Sequence, residues 1–202
     1  MFSPRLETVN YLALDDDYDP LPFLNLYKTT AHYVDTQIQR IVEQLEAQQL
    51  TDKTLIVITS DHGQEFNETG LNYWGHNGNF SQWQTHVPML ILWLGKAPQT
   101  FNHISAHEDL IPTLMQDLFQ CSNPITSYST GQSLFDSHTA NRSLIMETWT
   151  ERAIYYNQTL YFMDALGIGK TLDMNYQKVE VEALPADILQ DNIEKISRFL
   201  KH

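Results

Sequence analysis

The segment Thr54-Leu55-Ile56-Val57-Ile58-Thr59-Ser60, followed at once by Asp61-His62-Gly63, constrains this chain more than any other. Its residues are apolar or β-branched on both faces, the pattern of a strand covered on either side and therefore of a parallel strand buried between helices. The stretch before it agrees. From Lys28 to Leu50, Ala31, Val34, Ile38, Ile41, Val42 and Leu45 recur at steps of three and four, the stripe of an amphipathic helix, and Thr51-Asp52-Lys53 turns the chain into the strand. Val87 to Leu94 reads as a second buried strand that Gly95-Lys96-Ala97-Pro98 closes, and Glu108 to Phe119 as a helix with acidic residues in its first turn and Pro112 near its start. Helix, buried strand, loop, strand, helix is the order of an α/β sheet.

The remainder has a different texture. Residues 1–26 are rich in Asp and Pro without a period and are expected to be irregular. Beyond Asn123, short alternating segments (Ser143 to Glu147, Ala153 to Tyr156, Leu160 to Met163, Thr171 to Met174, Val179 to Val181) predict a small antiparallel portion over about 142–182, with Asn157-Gln158-Thr159 as a hairpin connection. Ala186 to Leu200 closes the chain with a one-sided apolar helix, about 186–200. Without an internal repeat or a low-complexity linker, residues 27–202 read as one domain piece.

Composition excludes several functions. Twenty-five acidic residues against twelve basic ones give a formal charge of −13, which repels phosphate backbones, so nucleic acid is not an expected partner. No apolar run approaches the ~20 residues that span a bilayer, and no signal sequence follows Met1. Cys121 stands alone, cannot form an internal disulfide, and is read as a small buried hydrophobe.

Chemistry concentrates where the first strand ends. Open α/β sheets place ligands beyond the carboxyl ends of their strands, and there stand a carboxylate, Asp61, and an imidazole, His62. Gly63 is expected to let the chain turn so that both converge on one ion. Carboxylate oxygen with neutral imidazole nitrogen suits zinc or manganese, although two ligands do not complete even a four-coordinate site. Taken alone, the tripeptide fits a turn aspartate beside an ordinary loop histidine better than a metal site. The long polar and aromatic stretch Gln64 to His86 adds weight, since ordered loops of this length tend to be functional. Within it His76, between Gly75 and Gly78, is the candidate contact to a substrate or second metal; His86, directly before the next strand, is read as packed. His103 and His107 follow before the later helix.

Several ordered pieces carry a resemblance. Ile56-Val57-Ile58-Thr59-Ser60-Asp61-His62-Gly63-Gln64-Glu65-Phe66, then Gly75-His76-Asn77-Gly78-Asn79-Phe80, then Gln84-Thr85-His86-Val87-Pro88-Met89-Leu90-Ile91 resemble the second half of sulfatases and their phosphoethanolamine- or phosphoglycerol-transferring relatives. Ser105 to Leu114 and Tyr128 to Phe135 are similar to later pieces of the same family, and Asn72 to Asn77 with His32-Tyr33-Val34-Asp35 is closest to YejM/PbgA-like inner-membrane proteins of Gram-negative bacteria. The resemblance implies an α/β fold, the C-terminal part of an alkaline-phosphatase-like three-layer sandwich. It implies Asp61 and His62 as ligands of a divalent metal ion (zinc, manganese, calcium or magnesium) and His76 near the transferred sulfate or phosphate group. It further implies a sulfate or phosphate ester, or a lipid, as substrate. A missing N-terminal half with membrane helices would supply the nucleophile, which has no identifiable counterpart here, and would place the domain on the periplasmic face of the inner membrane.

Two alternatives stand beside the metal-dependent hydrolase or transferase. One is a non-catalytic sulfatase-like module in lipopolysaccharide or outer-membrane homeostasis, for which Tyr73, Trp74, Phe80 and Trp83 would offer an aromatic surface, although the same four rings fit a place in the core equally well. The other is an incomplete chain, inactive by itself.

Overall fold

The computed structural model describes residues 1–76, 78–136, 142–164 and 167–200. Asn77 of the Gly75-His76-Asn77-Gly78 motif and residues 201–202 of the domain segment lie outside them. The chain divides into two compact units, Met1–Ala97 and Pro98–His202.

In the first unit, helix α1 spans Leu21–Ala47. It begins seven residues ahead of the expected Lys28, so positions 21–26, expected to be irregular, are helical. Pro22 falls in the first turn, where an N–H would have no partner, and Asp19 Oδ1 accepts from the Leu21 N–H at 3.0 Å. The prolines that looked like loop punctuation thus mark a helix start. Phe23, on that first turn, joins Leu14 and Phe66 in a buried cluster backed by Leu6, Val9, Tyr18, Leu24 and Trp74. The N-terminal segment is fastened to α1 by Asn25, whose Nδ2 donates to the Pro4 carbonyl at 2.7 Å.

Strand β1 is Ile56–Thr59; the chain then forms the short strands β2 (Glu65–Phe66) and β3 (Trp74–Gly75), one helical turn α2 (Gln82–Thr85), and β4 (Met89–Leu92). β1 pairs with β4, and the pairing is antiparallel, with Ile56 opposite Leu92 and Thr59 opposite Met89. The expected parallel, doubly covered strand is therefore corrected. The reason lies in the loop: β2 and β3 close on each other, and α2 brings the chain back to the end of β1, where Gly63 N–H donates to the Gln84 carbonyl at 2.8 Å. A chain that returns at the end it left from can only run back antiparallel; a parallel return needs a crossover along the strand. Ile56, Val57 and Ile58 are half-buried, whereas Leu90 and Leu92 face solvent.

In the second unit a 3-10 turn, His107–Asp109, leads into α3 (Leu110–Asp117). Asp109 is fully buried and forms a two-pronged ion pair with Arg142, at 2.5 and 2.6 Å. Strands β5 (Leu144–Glu147), β6 (Arg152–Tyr156), β7 (Thr159–Asp164) and β8 (Gly167–Asp173) form a four-stranded antiparallel meander. Asn157 and Gln158 make the two-residue turn between β6 and β7, both with positive φ (48° and 61°), as the twist of a tight hairpin requires. Val179 to Val181, expected as a strand, is not one. Thr171 Oγ1 donates to the Val179 carbonyl there, and Lys178 makes an isolated bridge to Leu172. Helix α4 (Ala186–Ser197) packs Ile188 and Leu189 against Ile154, Tyr156, Tyr161 and Leu184, while Ile193 remains exposed. Cys121 is half-buried rather than buried, and its Sγ lies 3.2 Å from Asn123 Oδ1.

Candidate functional site

Asp61 and His62 stand at the turn that ends β1, as the sequence indicated, but Gly63 serves a different purpose from the one expected. Its φ is not in the left-handed region. Instead, a Cβ at this position would lie 2.1 Å from the carbonyl oxygen of Trp83, so only a residue without a side chain lets the turn close against α2.

The orientation of His62 follows from backbone contacts. Its Nδ1 lies 2.8 Å from the Gly63 carbonyl oxygen, which can only accept, so this contact places a proton on Nδ1. The lone pair is then on Nε2, and Nε2 is 3.7 Å from Asp61 Oδ1. Asp61 Oδ1 also accepts from the His62 N–H at 3.1 Å, and Ser60 Oγ donates to the His62 carbonyl at 2.7 Å. Asp61 is 86% exposed and His62 42%, so both can meet a ligand from solution.

His76 arrives from beyond β3 and stacks on His62, with ring centroids 3.8 Å apart and planes 17° from parallel. The three residues singled out by sequence are thus brought together within the first unit. His86, read as packed, is exposed: the alternation of half-buried and exposed positions leading into β4 puts it on the outer face. His103 and His107 belong to the second unit, where His103 lies edge-on to Phe101 at 5.3 Å. Of the loop aromatics, Phe80 is 3% exposed and Trp74 stacks on Phe23 at 6.3 Å. Those two rings serve the core, and Trp83 is exposed.

The donor chemistry fits one edge of a divalent-metal shell. A carboxylate oxygen and an imidazole lone pair 3.7 Å apart can share an ion with bonds of about 2.0–2.4 Å. The set is partial: among the described residues, no three or more His, Cys, Asp or Glu side chains are grouped to hold a metal ion.

Sequence reasoning missed Glu65. It is fully buried, and its carboxylate accepts hydrogen bonds from Thr69, Asn79, Ser81 and Gln84. Its donors are scattered over the loop, and nothing in their local pattern announces that they converge.

The family model for sulfatases matches residues 2–118. The inner membrane protein YejM of Salmonella typhimurium is 26% identical over 92% of this chain and 31% of its own length. Human iduronate 2-sulfatase is 33% identical over 54% of this chain and 20% of its own. Among solved structures, a sulfatase from a Bacteroides thetaiotaomicron locus for the metabolism of multiple glycosaminoglycans superposes with a TM-score of 0.58 at 20% identity, covering 91% of this chain and 43% of that one. The mixed helices and antiparallel strands are therefore those of an alkaline-phosphatase-like α/β fold. The chain belongs to the sulfatase family. It spans about a third of the length of the YejM relative it matches.

Proposed function

We propose that this chain is the part of a sulfatase-type hydrolase or phospho-group transferase that supplies one side of a divalent metal centre, with Asp61 and His62 as ligands and His76 beside the transferred group. The observation that carries this reading is the Nδ1 contact of His62 to Gly63, which leaves the lone pair on Nε2, 3.7 Å from Oδ1 of the exposed Asp61 carboxylate. Zinc, manganese, calcium and magnesium all take carboxylate oxygen, and imidazole favours the first two. When bound, such an ion supplies Lewis acidity and compensates charge on an in-line transition state. Gly63 holds the His62 tautomer, Asp61 contributes the negative charge, and His76 brings a second imidazole able to donate to a sulfuryl or phosphoryl oxygen.

The remaining ligands and the nucleophile belong, on this reading, to the rest of a longer protein. Its likeness to an inner membrane protein supports a cell-envelope setting, with the site on the periplasmic face and an ester, lipid esters included, as substrate. Among the described residues, no helix is long and apolar enough to cross a membrane, so an anchor would lie elsewhere. The alternative of a lipid-binding module without catalysis loses support because Trp74 and Phe80 are engaged in the core.

The test uses the intact protein that carries this chain, measured for bound metal and for turnover of an aryl sulfate and an aryl phosphate. Metal-dependent turnover of one of them is expected, falling at least about 100-fold in Asp61→Ala and His62→Ala. Metal-loaded protein that turns over neither ester would sink the proposal.

A further inference from the structure

His76 is exposed, and Gly75, at a φ of 111°, and Gly78 stand on either side of it in the sequence. A ring in such a place stacks at one distance from His62 only if the chain on both sides of it is held. Glu65 holds both sides. Its Oε1 accepts from the Thr69 N–H at 3.3 Å and from the Thr69 hydroxyl, before the bend; its Oε2 accepts from Asn79 Nδ2 at 2.8 Å, Ser81 Oγ at 3.2 Å and Gln84 Nε2 at 2.8 Å, after it. The backbone of Glu65 pairs with Gly75, next to His76.

Gln84 carries the connection onward. Its Oε1 accepts from the Gly78 N–H at 3.3 Å, and its backbone carbonyl accepts from the Gly63 N–H at 2.8 Å. One buried carboxylate therefore ties the His76 bend to the same helical turn that anchors Asp61-His62-Gly63. We propose that Glu65 is a positioning residue that fixes the His76 ring against His62, and so sets the spacing of the two imidazoles at the site. For its functional consequence, though not for its geometry, this rests on the metal-site reading above.

The position demands an acceptor on both oxygens. An amide is isosteric, but one of its ends donates, so Glu65→Gln sets an NH2 group against either the Thr69 donors or those of Asn79, Ser81 and Gln84.

The experiment takes the intact protein with 15N-labelled histidine and follows the ring resonances of His62 and His76, which stacking displaces, together with Mn²⁺ affinity by calorimetry. In Glu65→Gln both sets of resonances move toward unstacked positions, and Mn²⁺ affinity falls about tenfold. Gln84→Met, which removes one donor to Glu65 and the acceptor for Gly78, gives the same displacement and serves if Glu65→Gln fails to fold. A lower melting temperature with unmoved imidazole resonances in either variant overturns the inference and makes Glu65 a purely structural anchor. The two proposals separate cleanly. If the unsubstituted protein binds none of Zn²⁺, Mn²⁺, Ca²⁺ and Mg²⁺ while Glu65→Gln still moves the resonances, the metal site fails and the positioning role stands. If it binds Mn²⁺ while the resonances stay put in both variants, the reverse holds.

Discussion

A methyl group at position 63 would meet the Trp83 carbonyl oxygen at 2.1 Å and the Gln84 carbonyl carbon at 3.1 Å, backbone atoms that cannot swing aside as a side chain can. Gly63→Ala must therefore push α2 away from the turn or break the Gly63–Gln84 hydrogen bond. A loss of about 1–3 kcal/mol is expected, the usual cost of overpacking, read as an earlier chemical-denaturation midpoint by tryptophan fluorescence. An unchanged midpoint would mean that the two backbones do not approach so closely. The contrast between Gly63 and Glu65 shows what single residues reveal in advance. Asp61, His62 and Gly63 were visible because a carboxylate, an imidazole and a glycine directly after an apolar strand stand at the strand end where α/β sheets gather their ligands. Glu65 was one acid among twenty-five, and its burial depends on side chains from Thr69 to Gln84 folding back on it. Even at Gly63, the glycine was legible while its reason, a neighbour's carbonyl, was not.

Elements were legible where periodicity defines them and illegible where closure does. The stripe of α1, the alternation of β5 to β8 and the turn at Asn157-Gln158 are local, so the sequence carries them. The direction of β4 against β1 depends on how the intervening loop closes on Gly63, and no local pattern encodes that. The Asp109–Arg142 pair is a third case, a contact between α3 and the approach to β5 that ties together segments far apart in sequence. Asp109 also accepts from the Ala106 N–H at 2.7 Å and the Gln132 N–H at 3.0 Å, so the start of α3 and the Gly131 segment both depend on it. Arg142→Met leaves that buried carboxylate without its cation. A destabilisation of about 3–5 kcal/mol is expected, since the remaining charge is uncompensated. Urea unfolding followed by circular dichroism measures it, and a loss below about 1 kcal/mol would show that the carboxylate reaches water or takes up a proton instead.

At the scale of the molecule, the first unit presents apolar side chains to solvent on both β4 and α1. Leu90 and Leu92 are 55% and 44% exposed on one face of a sheet with only two strands, and Leu94 continues the line. On α1, Tyr33, Val34 and Ile41 are exposed although they belong to the stripe or flank it. A two-stranded ribbon is marginal by itself, and its unpaired edges invite another strand. The charge of −13 works against association over a Debye length, which is about 10 Å at 0.1 M salt and about 30 Å at 0.01 M. The two effects are separable because only one responds to salt. Produced by itself, the 202-residue chain is expected to be mostly monomeric in about 0.01 M salt and to self-associate as salt rises past about 0.1 M, read by light scattering. Replacing Leu90 and Leu92 together by Thr keeps strand propensity while removing the apolar face, and should restore the monomer at the higher salt. If the double variant associates as strongly as the parent chain, the β4 face is not the surface responsible. A cooperative monomeric melt of the unsubstituted chain at about 0.15 M salt would show that neither face needs a cover.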